Sequence, residues 1–113
     1  MKKEIADMWV QALRSGEYRQ GRGRLKREDG AMCCLGVLCD LVPSEVGKWN
    51  RLAFEMAGDQ NEAHLPKSAR DWAGMCSQAG MVNHIKVQLT KLNDDGATFS
   101  EIADIIEKHW EEL

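Results

Sequence analysis

The sequence predicts a mainly α-helical domain of the α+β class, a small compact unit of four to five helices with one or two short hairpins. Three observations carry this. Apolar residues recur at helical spacing in the first, middle and last thirds of the chain; turn signals at Asp29-Gly30 and Gly58-Asp59 break the stretches between; and 113 residues suit one hydrophobic core, so residues 1–113 are expected to form a single domain.

Ile5, Met8, Trp9, Ala12 and Leu13 follow the i, i+3, i+4, i+7, i+8 pattern of one helix face, and Gly16 supplies the stop. From Gly16 to Gly30 the helical period is lost. Asp29-Gly30 lies between Leu25-Lys26-Arg27 and Met32-Cys33, which predicts a loop followed by a short hairpin. Cys34, Leu35, Leu38, Leu41 and Val42 mark a central buried helix closed by Pro43. Gly36 inside it costs about 1 kcal/mol relative to Ala, so another backbone or an aromatic ring is expected to pack against it.

Leu52, Phe54 and Met56 alternate ahead of the polar run Gly58-Asp59-Gln60-Asn61, which reads as a strand entering a turn. Pro66 suits the first turn of a short helix through Ala69, Trp72 and Ala73 toward Gly74. Val82, Ile85, Leu89 and Leu92 suggest a further helix ending at Gly96, although Val82, Ile85 and Val87 leave a strand open for its first half. Thr98 with Glu101 is a capping box, and Ile102, Ile105, Ile106, Trp110 and Leu113 continue one face beyond it.

Composition excludes several functions. No apolar run approaches the roughly 20 residues that span a bilayer, and no apolar signal core follows Met1, so a cytoplasmic protein is expected. Cys33, Cys34, Cys39 and Cys76 lack zinc-ligand spacing and a secretion signal, and are expected to be reduced, buried side chains without metal or cofactor. His64, His84 and His109 have no evident catalytic partner, and no hydrolase, zinc-protease or deaminase motif is present, so the expectation is a non-enzymatic protein. The four tryptophans have spacings that serve helical faces, as core or interface anchors.

Charge is unevenly distributed. Between Arg14 and Arg27, six cations (Arg14, Arg19, Arg22, Arg24, Lys26, Arg27) face only Glu17, in a chain whose net charge is −3. Tyr18, Arg19, Gln20, Arg22, Arg24 and Lys26, with Gly21 and Gly23 between them, have the parts of a clasp for a small anion such as a nucleotide. The alternative is a solvated loop whose arginines pair with the acidic last helix. The segment Asn93 to Ala103 resembles the entry to a helix-turn-helix, but Asp94, Asp95, Glu101, Asp104, Glu107, Glu111 and Glu112 would repel phosphates, which argues against nucleic acid as partner.

Ser15-Gly16-Glu17-Tyr18-Arg19-Gln20-Gly21 and Cys33-Cys34-Leu35-Gly36-Val37-Leu38-Cys39 lead to a broader similarity. With Trp49, Leu65-Pro66, Trp72 and Leu92-Asn93-Asp94-Asp95-Gly96, the chain resembles a group of small uncharacterised proteins encoded by tailed bacteriophages and prophages. Glu17 stands where lysine is usual in that group, and residues 74–85 follow the pattern loosely. The resemblance implies a phage accessory protein that binds a component of the bacterial host cell; with the basic segment from Tyr18 to Arg27, the expected partner is an anionic small molecule, or else a host protein. A protein-binding inhibitor of a host enzyme is the second reading and a regulatory nucleic-acid binder the third.

Overall fold

The computed structural model describes residues 1–113. The first apolar stripe forms α1 (Lys3–Arg14), which buries Ile5, Ala6, Trp9, Val10 and Leu13. Met8, expected on the buried face, is 42 % exposed, and Val10 is buried instead. The face is turned toward α5 (Phe99–His109), the helix against which α1 packs. Trp9 lies fully buried on this face, and its indole N–H donates to the Cys34 carbonyl at 2.8 Å, so its one polar group is satisfied inside the core.

The cysteine-rich run forms α2 (Cys34–Asp40), with every residue from Cys34 to Cys39 buried. The helix stops before Leu41, slightly earlier than the apolar pattern suggests, and Val42 stays buried beyond it. Gly36 meets the close approach expected of it. A Cβ there would come within 2.0 Å of the Leu25 carbonyl oxygen, so the backbone of the basic segment lies directly on α2. Of the four cysteines, all free, Cys33, Cys34 and Cys39 are buried, whereas Cys76 is exposed, against the expectation of burial. It follows α3 in an irregular stretch, with its amide bonded to Leu113.

A three-stranded antiparallel meander follows, β1 (Gly47–Asn50), β2 (Ala53–Met56) and β3 (Asp59–Asn61), with Asn50 opposite Ala53 and Met56 opposite Asp59. The turn is shorter than the polar run suggests: Ala57 and Gly58 alone make it, both at positive φ (52° and 87°), and Asp59 to Asn61 form the third strand. Two residues at positive φ match the twist of paired strands, which frees the polar residues after them to pair. Leu52, expected within the strand, lies in the preceding turn. Trp49 and Phe54 pack edge to face across β1 and β2, with centroids 5.2 Å apart.

Pro66 is the N-cap of α3 (Lys67–Ala73), and Gly74 closes the helix in the left-handed conformation. The Asp59 carboxylate accepts from the Ser68 amide at 3.0 Å and from the Ser68 hydroxyl, joining β3 to the start of α3. The helix suggested from Val82 forms only in its second half. Its first half is a hairpin of β4 (Met81–Val82) and β5 (Val87–Gln88), with Ile85 exposed near its tip, and the helix is α4 (Leu89–Asp94). The β-branched residues Val82, Ile85 and Val87 suit a strand as well as a helix, and Lys86, at φ 53°, breaks helical continuity.

The capping box at α5 is complete: the Glu101 amide donates to Thr98 Oγ1 at 3.1 Å and the Thr98 amide to Glu101 Oε1 at 3.0 Å. Phe99, Ile102, Ala103 and Ile106 are buried, and a 3-10 turn (Trp110–Glu112) leads to buried Leu113. The architecture is thus α+β, with five helices, four of them of seven residues or more, and short antiparallel sheets around one hydrophobic cluster. No helix is long and apolar enough to cross a membrane.

Candidate anion-binding segment

The basic segment is not a free loop. Met32 lies between two of its arms, bridged in parallel to Gln20 and antiparallel to Lys26. The Met32 amide donates to the Arg19 carbonyl at 2.9 Å, and the Gly21 amide to the Met32 carbonyl at 2.7 Å. The Arg27 amide reaches the Ala31 carbonyl at 2.8 Å, closing the expected hairpin, which is one bridge long. Leu25 is fully buried, and its amide donates to the Glu62 carbonyl at 2.7 Å, which ties the segment to the chain just past β3.

Asn93 of α4 is the inner anchor. It is fully buried; its Oδ1 accepts from Gln20 Nε2 at 2.9 Å and from the Cys34 amide at 3.2 Å, while its Nδ2 donates to the Gly21 carbonyl at 2.8 Å. Asp94 accepts from the Gly23 amide at 2.9 Å. The two glycine amides that could have met a ligand are therefore already bonded within the fold.

The six expected ligand contacts separate into four groups. Tyr18 and Lys26 face the end of α2 and β1: the Tyr18 hydroxyl donates to Asp40 at 2.7 Å, Trp49 Nε1 donates to the same carboxylate at 3.1 Å, and Lys26 Nζ lies 5.1 Å above the Trp49 ring. Burial, and then the Asp40 hydrogen bond, push the Tyr18 hydroxyl up to about 12. Gln20 points inward to Asn93 and to the Ala97 carbonyl at 2.7 Å. Arg19 donates to the Asp29 carbonyl at 2.5 Å with its carboxylate 3.4 Å away. The Ala31 amide, and then Arg19, hold the Asp29 carboxyl below its usual range.

Arg22 and Arg24 remain, exposed and without an ion pair, and Arg27 joins them, its guanidinium donating only to the Arg22 carbonyl at 2.9 Å. Pairing with the last helix occurs at Arg14 alone, which bonds Asp104 at 2.5 Å and Glu107 at 2.8 Å. Arg24 stands between three open depressions. One of about 390 Å³ holds Arg27, Glu28 and Asp29. Another, of about 360 Å³, includes His64, Lys91 and Asp94. A third, of about 290 Å³, is lined by Arg24, Asn50, Arg51, Leu52, Gln60 and Glu62. Arg51, Gln60 and Glu62 carry no local sequence signal of such a site, because only the meander brings them to Arg24.

Elsewhere, His109 has a partner that sequence reasoning missed. Its Nδ1 lies 2.8 Å from Glu112, and that bond holds the Glu112 carboxyl below its usual range. Burial pushes the thiols of Cys33, Cys34 and Cys39 up, which opposes nucleophilic use at neutral pH.

No curated protein and no solved structure matches the chain. The profile of a domain of unknown function (DUF8296) matches residues 1–110, and the chain belongs to that family.

Proposed function

We propose that this is a non-catalytic binding protein whose outer basic segment takes a small anionic molecule such as a nucleotide. The observation that carries the reading is the state of Arg22, Arg24 and Arg27: three exposed guanidiniums with no carboxylate at ion-pair distance, only Arg27 being close enough to Asp29 to lower its carboxyl, in a chain of net charge −3 and on a backbone pinned from three sides. An unpaired arginine on an ordered support loses less conformational freedom on binding than one on a mobile loop. Anion recognition falls to the side chains, since the Gly21 and Gly23 amides are engaged. Of the six residues expected from the sequence, Arg22 and Arg24 are the two left free to meet an anion; Tyr18, Gln20 and Lys26 hold the segment in shape, and Arg19 braces the Asp29 turn.

The similarity to tailed-phage proteins supports an accessory role in the bacterial host cell, where such a protein would act by sequestering its ligand, including a nucleotide signal of a host defence. Calorimetric titration of the wild type, Arg22→Ala and Arg24→Ala against mono- and cyclic nucleotides tests the reading. Loss of one charge-assisted contact should weaken binding at least about tenfold with the melting temperature unchanged. Absence of binding by the wild type to every member would overturn it and turn attention to a host protein as partner.

A further inference from the structure

The depression between Arg24 and the meander holds an unusual combination. Arg24 and Arg51 line it together with Glu62, and neither guanidinium forms an ion pair with that carboxylate. Asn50 and Gln60 add two side-chain amides and Leu52 an apolar wall. None of these five polar side chains has a hydrogen-bond partner within the fold, whereas the neighbouring Asn61 and Asp59 are engaged, with Ala63, His64 and Ser68.

A site for a bare anion gains nothing from a carboxylate and loses affinity to its repulsion. A carboxylate beside two arginines fits a ligand that presents an anionic group and, a short distance away, hydroxyl donors. Vicinal hydroxyls of a sugar are well matched to a carboxylate acceptor. Resting on the anion-binding reading above, we infer that the ligand is a phosphorylated ribose: its phosphate lies between Arg24 and Arg51, its hydroxyls donate to Glu62, and in a nucleotide the base meets Asn50 and Gln60. The amides each offer both a donor and an acceptor, as a base edge requires, and Leu52 covers an apolar face. Arg51 is exposed in the tight turn between β1 and β2, at φ 58°. This gives the meander a role in recognition.

The experiment is calorimetry of the full chain against the four nucleoside 5′-monophosphates, their 2′-deoxy counterparts, ribose 5-phosphate and inorganic phosphate, repeated with Glu62→Gln and Arg51→Ala. At least one ribonucleotide should bind about tenfold or more tightly than its deoxy counterpart, because a site that hydrogen-bonds a hydroxyl rejects the ligand lacking it. Glu62→Gln should reduce that preference while strengthening inorganic phosphate binding, because the repulsion of the carboxylate is gone, and Arg51→Ala should weaken every phosphorylated ligand. Ribose 5-phosphate binding as tightly as the best ribonucleotide would support the phosphorylated ribose and assign it to a free sugar phosphate. Inorganic phosphate or a deoxynucleotide binding as tightly as the ribo form, or an unchanged preference in Glu62→Gln, would overturn the inference and leave the anion-binding reading standing. Binding by none of the ligands would overturn the inference, and the cyclic nucleotides of the titration above would then decide the anion-binding reading.

Discussion

Tyr18 and Gln20 show how a side chain with the chemistry of a ligand contact can be used inside the fold instead. Both stand among arginines in the sequence, and nothing local distinguishes an outward tyrosine from one that bonds Asp40, 22 residues away. The consequence for Tyr18 is measurable. Its hydroxyl is pushed up to about 12 from 10, so the neutral phenol is favoured by folding. That stability is fully present below pH 10 and is lost as the pH rises through the folded value of about 12. Ionisation would remove the donor that meets Asp40 and set two negative charges side by side. Urea midpoints measured at about pH 9 and about pH 11.5 should therefore fall further for the wild type than for Tyr18→Phe, which lacks the titrating group. The size of the difference is reduced by solvent screening, since the half-buried ring leaves its hydroxyl partly exposed. Equal falls in both proteins would show that Tyr18 is not part of the coupling.

Ala57 at φ 52° is an element-scale conflict between residue and conformation, because the turn joining β2 to β3 asks for positive φ twice and only Gly58 adopts it without cost. Ala57 is exposed and makes no packing contribution that a replacement would forfeit. Ala57→Asn, which creates the Asn-Gly pair this turn prefers, should raise stability by about 0.5–1 kcal/mol in urea unfolding. An unchanged or lowered stability would mean that the turn does not hold the positive-φ geometry. The same turn explains why the meander was only half legible. The alternation of Phe54 and Met56 marked β2, but polarity at Asp59 to Asn61 is shared by turns and by edge strands, and the partner that decides between them lies on another strand. Amphipathic helices were readable from their own sequence: the stripes of α1 and α5 and the Thr98–Glu101 box needed no distant partner to be recognised. Gly36 lay between these cases. The cost of glycine in a helix announced a close neighbour, and only the fold shows that neighbour to be the Leu25 carbonyl.

At the scale of the molecule, the basic segment belongs to the cooperative core although its charges face solvent. The excess of arginine was visible in the sequence, but which arginines stay unpaired depends on contacts across the chain, from Glu62 to Leu25 and from Asn93 to Gly21. Arg24 meets Arg51 and Glu62 only because the meander and the segment are bonded to each other. A segment held in this way should exchange its amide hydrogens unevenly in the absence of ligand. The amides of Gly21, Leu25, Met32 and Cys34 are bonded and belong to buried residues, so they should exchange as slowly as those in the middle of α5, through global unfolding. The amides of Arg22 and Arg24, exposed and without an intramolecular acceptor, should exchange orders of magnitude faster. Asn93→Ala separates this arrangement from a merely compact loop. It leaves the Cys34 amide and the Gly21 carbonyl buried without Asn93, at a cost of about 1–3 kcal/mol for each group left unpaired. If Asn93 ties the segment to the core, the variant should lose protection at Gly21 and Met32 more than in α1 and α5, and lose affinity for any anion that the wild type binds. A uniform loss of protection across the chain would instead make Asn93 a general core residue, with the shape of the basic segment set by its own bridges to Met32.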